Sequence, residues 1–431
     1  MTAEIAIMNK EAIALAADSA VTMTGRTEQK IFTSANKLFA LSKYHPVGMM
    51  IYGNAIFMGV PWETIIKIYR HKLGKKNFNT LEEYATDFIA FLDNGNPLFP
   101  DFIQEEHIQN SIYSYFRFLQ NTITKNVHSK IDEKGKLTEQ EIMQIVAEVI
   151  KEHYENWEKE DNIPSIPKSY NKNIITKYGK IINKAIKEIF EKLPISKSHS
   201  TQLKKIAASL FAKFPKSIGI TGISGVVIAG FGENDTFPSL NSFLIEGIAN
   251  NKLKYVENNS SKIDFTVSAS IIPFAQREMV TTFMEGINPY LNDHMEGYLS
   301  KLFDKYPEVI VENMAKTNIE KDILLNKLKE VSNKIFKDYQ DNVQSYRREN
   351  YVNPVISVVS ILPKDELAAM AEALVNLTSF KRKVTMESET VGGPIDVAII
   401  SKGDGFVWIK RKHYFKAELN PQFFAIYYKE V

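Results

Sequence analysis

The sequence predicts an α/β fold of the α+β kind, with two antiparallel sheets flanked by helices and long helical insertions. Short apolar runs come before any helical pattern, and similar runs return after residue 224. The two strand blocks lack the regular strand–helix alternation that a parallel sheet requires. A chain of 431 residues with 44% hydrophobic residues can bury a large core and has ordinary globular composition.

The first strand block reads as two hairpins. A polar turn at residues 9–11 joins the first two apolar runs, and a loop around Gly25 leads to the second two. The predicted strands are Thr2–Met8, Ala12–Asp18, Lys37–Leu41 and Val47–Tyr52. Four strands are therefore expected before the first helix.

Helical spacing begins after Ala55, and a second helix over 80–92 is expected to be capped by Asn79. Nearly all of 97–214 has helical character, with breaks at three prolines, and we interpret it as an insertion. The expected organisation is a first core half at 1–95, a helical insertion at 96–215, a second core half at 216–290, a helical insertion at 291–350, and a core C-terminal helix with closing strands at 351–431.

The second half of the chain contains a further strand block, a well-patterned helix over 363–380, and two closing strands. Helical periodicity is expected to resume at about Pro273. The predicted strands are Gly225–Phe231, Ser239–Ile245, Lys252–Val256, Asp264–Ser268, Ile395–Ile400 and Gly405–Arg411.

Composition excludes several classes of function. The 53 basic and 51 acidic side chains give a formal net charge of +2, which does not indicate a nucleic-acid or membrane surface. The chain has no cysteine, so disulfides, thiolate catalysis and Cys-ligated metals are excluded. No apolar stretch is long enough for a transmembrane helix. We expect a soluble cytoplasmic protein.

Familiar nucleotide and zinc motifs are absent from the sequence. It contains no Walker A motif, no complete G-x-G-x-x-G and no H-E-x-x-H, and its eight histidines show no pair at ligand spacing. The lysine-rich run 168–187 fits a solvated helix face better than a nucleic-acid surface. Nucleic acid is therefore not expected as a partner.

The N-terminus offers a possible nucleophile. The pair Met1-Thr2 allows removal of the initiator methionine, which would leave Thr2 with a free α-amino group. Such an amine titrates at about 7.7–8.0 and can accept the proton of the Thr2 hydroxyl. Met-Thr alone is common, so the hypothesis depends on the residues after Thr2.

Three segments come after Thr2 in a characteristic order: Ala-Ala-Asp-Ser ending at Ser19, Asn-Lys-Leu around Lys37, and an apolar strand that ends in Gly53. This order resembles the proteasome β-subunit and its bacterial HslV-type relatives, which are N-terminal-nucleophile hydrolases. The resemblance covers about residues 2–95, 217–290 and 363–411. It implies a four-layer αββα sandwich of two antiparallel sheets, to which the helical insertions are added.

The resemblance implies a role for each matching residue. Thr2 would be the nucleophile, Lys37 the cation that promotes proton removal, and Asp18 the carboxylate that orients Lys37. Gly53 would offer its backbone N–H to the tetrahedral oxyanion. Taken singly, Asp18 could merely end a strand, Lys37 could be a solvated strand residue, and Gly53 could be a simple turn; their ordered co-occurrence favours the site.

Two later segments depart from the family pattern. Ser268-Ala269-Ser270 stands where the family has Gly-Ser-Gly, so either serine could supply the supporting hydroxyl. In the segment before the closing strands two glycines match, but Ser388 falls at the aspartate position and Val391 at the serine position. Three neighbouring residues could substitute only if the backbone shifts: Glu387, Glu389 and Thr390.

The expected activity is threonine-type hydrolysis of amide bonds in a peptide or protein substrate, with no metal or organic cofactor. The resemblance also implies a homo-oligomer, with a ring as one form, and an ATP-dependent unfoldase as a partner. Two alternatives stay open: an amidase or transpeptidase acting on a small molecule or a protein end, and a catalytically inactive scaffold whose insertions bind a partner.

Overall fold

The computed structural model describes residues 3–24, 29–93, 95–214, 222–314, 318–385 and 391–429. The fold is mixed α/β with two antiparallel sheets, which confirms this part of the predicted fold class. Two compact units divide the chain: the first contains Met1–Tyr52, Ala229–Leu240 and Ser261–Val431, and the second contains Gly53–Ile228 and Asn241–Ser260. None of the helices in the described ranges combines the length and apolar character needed to cross a membrane.

Strands dominate the start of the chain. The described strands before the first helix are β1 (Ala3–Asn9), β2 (Ala12–Ala17), β3 (Val21–Thr24), β4 (Gln29–Phe32), β5 (Leu38–Ala40), β6 (Val47–Gly53), β7 (Ile56–Phe57) and β8 (Val60–Pro61). The expectation of four strands was wrong. The loop predicted around Gly25 includes residues 25–28, which lie outside the described residues. The additional strands are β3 and β4, which pair with each other, and β7 and β8, which form a two-residue pair.

Six helices of the second unit follow as α1 (Trp62–Leu73), α2 (Leu81–Leu92), α3 (Asp101–Lys134), α4 (Glu139–Lys159), α5 (Tyr170–Ile189) and α6 (Lys197–Ser209). The cap of α2 differs from the prediction. Thr80 is the N-cap, and its hydroxyl accepts a hydrogen bond from the Glu83 N–H at 3.3 Å, while the Glu83 carboxylate accepts one from the Asn79 N–H. Helices α3 to α6 bury a common apolar core that includes Phe116 and Trp157.

The rest of the chain continues with β9 (Ser224–Gly230), β10 (Ser239–Ala249), β11 (Lys252–Lys262), β12 (Ala269–Ala275), α7 (Glu278–Glu285), α8 (Pro289–Met314), α9 (Asn318–Arg347), a π-helical turn (Arg348–Val352), α10 (Asn353–Val359), α11 (Lys364–Val384), β13 (Asp396–Ser401), β14 (Gly405–Lys410), a 3-10 turn (Ala417–Leu419) and α12 (Pro421–Lys429). The prediction that the chain closes with strands was wrong, because α12 follows β14.

One five-stranded antiparallel sheet lies in the first unit, in the order β12-β1-β2-β13-β14. Helix α11 packs on its β1–β2 face, and β2 also contacts β5, which pairs antiparallel with β6. Coverage on both sides explains why β2 consists of six buried apolar residues instead of alternating apolar and polar ones. The ends of β1 and β2 position the candidate site.

Candidate functional site

A buried ion pair joins Asp18 and Lys37 in the first unit. The Lys37 Nζ donates to Asp18 Oδ1 at 2.6 Å, and the two side chains are 6% and 0% exposed. Main-chain N–H groups complete the carboxylate environment: Ala3 binds Oδ1 at 3.1 Å, while Ala20 and Gly392 bind Oδ2 at 3.2 and 2.9 Å. Asp18 therefore has four donors, as a buried carboxylate requires.

Strand geometry sets the positions of both charges. Asp18 follows the last residue of β2, and its own N–H donates to the Ala3 carbonyl at 3.1 Å, which fixes it beside the first residue of β1. Lys37 precedes β5, and its carbonyl accepts the Ile51 N–H of β6 at 2.9 Å. The structure thus brings together two of the predicted site residues.

This ion pair has an energetic cost that folding alone does not explain. Desolvating two charges costs several kcal/mol per ion, and a well-packed apolar pair is often as stable or more stable. Buried ionisable groups with a specific charge partner occur at functional sites and also in structural ion-pair networks. Two other ion pairs, Lys254–Glu246 and Lys412–Asp396, are buried to a similar degree. The Asp18–Lys37 pair is the functional candidate because Asp18 also binds the N–H of Ala3, the residue that follows the predicted nucleophile in the sequence.

The Gly392-Gly393 pair lies against Asp18. Besides the Gly392 N–H bond to the carboxylate, the Gly392 carbonyl accepts the Ser19 N–H at 3.1 Å, and the Ser19 hydroxyl donates to the Pro394 carbonyl. Gly393 has a φ of +79°, and a Cβ there would lie 2.8 Å from the carbonyl oxygen of Thr33. Glycine is needed at this close approach.

Gly53 ends β6 in a positive-φ conformation that glycine adopts readily and that a side chain would not tolerate. Its φ is +79°, and a Cβ would lie 2.5 Å from the Ile223 carbonyl oxygen. The same carbonyl accepts the Asn54 N–H at 3.2 Å. The Ser224 hydroxyl donates to the Asn54 carbonyl and accepts from Trp62 Nε1, both at 2.9 Å. The second unit therefore holds this turn in one conformation; the oxyanion role of Gly53 stays a prediction.

Ser268 and Ser270 do not lie beside Asp18. The strand predicted over 264–268 is instead a turn, because the Asp264 carboxylate accepts the N–H groups of Thr266 and Val267 at 2.6 and 2.7 Å. The actual strand, β12, begins at Ala269, one residue after the end of the predicted strand, and pairs Ser270 with Met8. Met8 is five residues beyond Ala3, so Ser270 lies about 17 Å from Ala3 along β1 at about 3.4 Å per residue.

Gln276, and neither of the two serines, follows the strand residue that pairs with Ala3. Ala275 at the end of β12 pairs with Ala3 and has a φ of +60°, so the chain turns beside the start of β1. Gln276 comes next, is buried, and accepts a hydrogen bond from the Arg382 guanidinium. This placement depends on the register in which β12 pairs with β1, and no pattern in the sequence predicts that register.

Another residue outside the predicted set is Glu4, the one charged residue of β1. It is 2% exposed, and neither carboxyl oxygen has a hydrogen-bond partner among the described residues. Burial raises the pKa of Glu4 well above its ordinary value of 4.5, while the charge of Lys37 lowers it and that of Asp18 raises it. The sequence feature that could have identified Glu4 is a single acidic residue inside an otherwise apolar strand.

We expect Glu4→Gln to change how stability depends on pH. The folded protein keeps the Glu4 proton at pH values above 4.5, where the unfolded chain has lost it, so the free energy of unfolding falls as pH rises toward the folded pKa. The Gln variant lacks this loss. Its stability relative to the native chain should rise by up to about 1.4 kcal/mol per pH unit in that window.

Urea unfolding between pH 4 and 8 measures this effect. Glu141→Gln is a control of opposite sign, since hydrogen bonds from Thr138 and Lys134 lower the pKa of the exposed Glu141 to about 2. That variant should be less stable than the native chain by a constant amount above pH 5. A flat difference for Glu4→Gln as well would contradict the assignment of a protonated Glu4.

Two predicted site residues, Thr2 and Ser388, lie outside the described residues, as do Glu387, Glu389 and Thr390. Comparison of the sequence with models of known protein families found no match, and comparison with curated proteins found none either. The geometry around Asp18 and Lys37 is therefore the basis on which a function can be proposed.

Proposed function

We propose that this protein is a proteasome-like threonine hydrolase that cleaves peptide bonds through Thr2, exposed by removal of Met1. One observation carries the proposal: Asp18 Oδ1 binds both the Lys37 ammonium and the N–H of Ala3, the residue that follows Thr2. These two nitrogens are therefore no more than about 6 Å apart. A buried cation therefore lies close to the main-chain nitrogen of Ala3, which follows the proposed nucleophile in the sequence.

The chemistry follows from this placement. The Thr2 hydroxyl oxygen attacks the substrate carbonyl carbon while its proton passes to the Thr2 α-amine, and the positive charge of Lys37 favours the deprotonated oxygen. The Gly53 N–H stabilises the oxyanion. The α-amine then gives its proton to the departing amine, which leaves an acyl ester on Thr2, and water hydrolyses that ester.

The proposal extends to architecture and partners. The layering of α11, the five-stranded sheet and β5–β6 in the first unit supports a four-layer αββα sandwich with helical insertions. The substrate class is peptide or protein. Self-association, with rings as one form, and an ATP-dependent unfoldase partner belong to the same proposal, as does a cytoplasmic location.

Mass spectrometry of the intact protein tests this function. We expect loss of Met1 and covalent capture of one molecule of a threonine-directed electrophile, such as a peptide epoxyketone, on Thr2. Thr2→Ala should take no label, and Thr22→Ala, which changes another threonine near the N-terminus, should label fully. Retained Met1, or equal labelling of the native chain and Thr2→Ala, would remove Thr2 from the mechanism.

A second candidate is an inactive scaffold with the same fold. It is favoured by the distance of Ser270 from Ala3, which removes the predicted supporting hydroxyl, and by Val391 at the position expected to hold a serine. Under this alternative Thr2 takes no electrophile even when Met1 is absent. The capture experiment therefore separates the two candidates.

A further inference from the structure

Helices α8 and α9 form an antiparallel hairpin within the first unit. Among the described residues, an exposed Lys329–Glu308 ion pair joins the two helices, and four further contacts define the seam between them. The Ser332 hydroxyl donates to the Phe303 carbonyl at 2.6 Å, and the rings of Phe303 and Phe336 lie 5.4 Å apart. Farther along, Gln340 donates to Glu296, and Arg347 donates to Asn292.

Large apolar side chains stand one residue before the seam residues on both helices. They precede Asn292, Glu296 and Phe303 on α8, and Ser332, Phe336, Gln340 and Arg347 on α9. These side chains are 37–59% exposed: Leu291, Met295 and Leu302 on α8, and Val331, Ile335, Tyr339 and Tyr346 on α9. Three more exposed residues continue the α8 stripe at helical spacing: Tyr298, Tyr306 and Val309.

Both stripes lie on the same face of the hairpin. Moving back by one residue rotates a side chain by about 100° around the helix axis. Because the two helices run in opposite directions, these rotations have opposite senses when both are viewed from one end of the hairpin. Each stripe therefore turns from the seam toward the same side, and together they form one two-helix surface, here called the hairpin face.

The hairpin face is large enough for a stable interface. Its ten large side chains are each roughly half exposed, which amounts to about 1,000 Å² if a fully exposed large side chain presents about 200 Å². Monomeric proteins rarely expose more than about 300–600 Å² in one apolar patch, and a standard interface buries about 800 Å² per partner.

We propose that the hairpin face binds the hairpin face of a second copy of this chain, forming a four-helix bundle with a two-fold axis. An identical hairpin has the same width and the same apolar spacing, so the surface complements itself. Helix α8 has two Lys or Arg against five Asp or Glu, and α9 has six against five. Packing α8 against the second copy's α9 pairs the more acidic helix with the more basic one.

The same charge count disfavours a lipid surface. The hairpin as a whole has eight basic and ten acidic side chains, from two plus six and five plus five, so it lacks the basic excess that anionic membranes attract. This inference is independent of the proposed hydrolase activity, because the hairpin contains no residue of the Asp18 site.

Light scattering after size-exclusion chromatography of the full chain tests the interface. We expect Ile335→Glu to halve the molar mass of the native assembly. Ile323→Glu is the matched control, because it changes the same residue type on the same helix at 55% exposure compared with 51%. Ile323 lies twelve positions before Ile335, so its side chain is rotated by about 120° around the helix axis, away from the hairpin face. That variant should retain the native mass.

Cross-linking gives an independent measurement, since the chain has no cysteine of its own. Asn342 lies seven positions after Ile335, about two helical turns farther along, and is therefore on the hairpin face. Asn342→Cys should form cross-linked dimers with a short bis-maleimide. Lys337→Cys follows Phe336, lies on the opposite face, and should not. A monomeric native chain, equal masses for Ile335→Glu and Ile323→Glu, or co-sedimentation of monomers with anionic vesicles would each overturn the proposal.

Discussion

Lys37→Met should lower the free energy of unfolding by about 3–5 kcal/mol, because it leaves the Asp18 carboxylate buried without its cation. Asp18 is fully buried, so water cannot replace the ammonium. Three main-chain N–H groups remain bound to the carboxylate, which should allow the variant to fold. If the proposed activity is correct, amide hydrolysis should also fall by about 100- to 10,000-fold.

Lys67→Met is the matched control for this prediction. Lys67 and Glu63 form an ion pair at the same 2.6 Å separation, but their side chains are 60% and 37% exposed. An exposed pair of this kind contributes about 0.5 kcal/mol or less. Chemical denaturation should therefore separate the two variants by several kcal/mol, and equal losses would show that burial does not strengthen the Asp18–Lys37 pair.

A double variant distinguishes an unpaired charge from lost packing. Adding Asp18→Asn to Lys37→Met removes the uncompensated carboxylate, so the double variant should be more stable than Lys37→Met alone. Under the proposed function, the same double variant should remain inactive, since neither charge is available to promote the reaction. Further destabilisation by Asp18→Asn would point to hydrogen bonding of the carboxylate as its main contribution.

Gly53→Ala should be the second most damaging change. The added Cβ would meet a backbone oxygen, that of Ile223, at 2.5 Å, and the φ of +79° is itself unfavourable for alanine. We expect a loss of about 2–4 kcal/mol in the free energy of unfolding. Displacement of the Gly53 N–H should also reduce hydrolysis by about 100- to 1,000-fold, if it is an oxyanion donor.

Gly59→Ala isolates the conformational part of this cost. Its φ of +84° is nearly the same, but no atom lies within 4 Å of the added Cβ. This variant should lose only about 1 kcal/mol and keep its activity. Thermal unfolding and peptide turnover measured on both variants check the prediction, and a Gly53→Ala protein with native turnover would exclude the oxyanion role.

The sequence predicted local elements well and long-range register poorly. Strands β1 and β2 were predictable because their apolar runs flank a polar turn, and Asp18 marks the end of the second run. The placement of Ser270 and Gln276 was not predictable, since it depends on how β12 pairs with β1 across more than 250 residues. The turn made by Asp264 was mistaken for the strand that follows it.

Charged residues in apolar surroundings were also hard to interpret. Glu4 is a single acid in an apolar run, and only the fold shows that it is buried near Lys37 in a strand that lies between β2 and β12. The hairpin face could not be predicted from the sequence either. Its apolar residues follow helical spacing in the sequence, but the spacing does not tell which stripe faces the partner helix and which faces outward.

The hydrogen bond between Gly392 and Asp18 spans 374 positions of the chain. A ribosome makes the N-terminal hairpin first, so a growing chain has Asp18 and Lys37 long before it has the amide that completes the carboxylate environment. The catalytic arrangement proposed for this protein therefore cannot be complete until synthesis has passed residue 392. Chains that end before Gly392 would carry the proposed nucleophile without this amide, so the proposed activity should be absent from them.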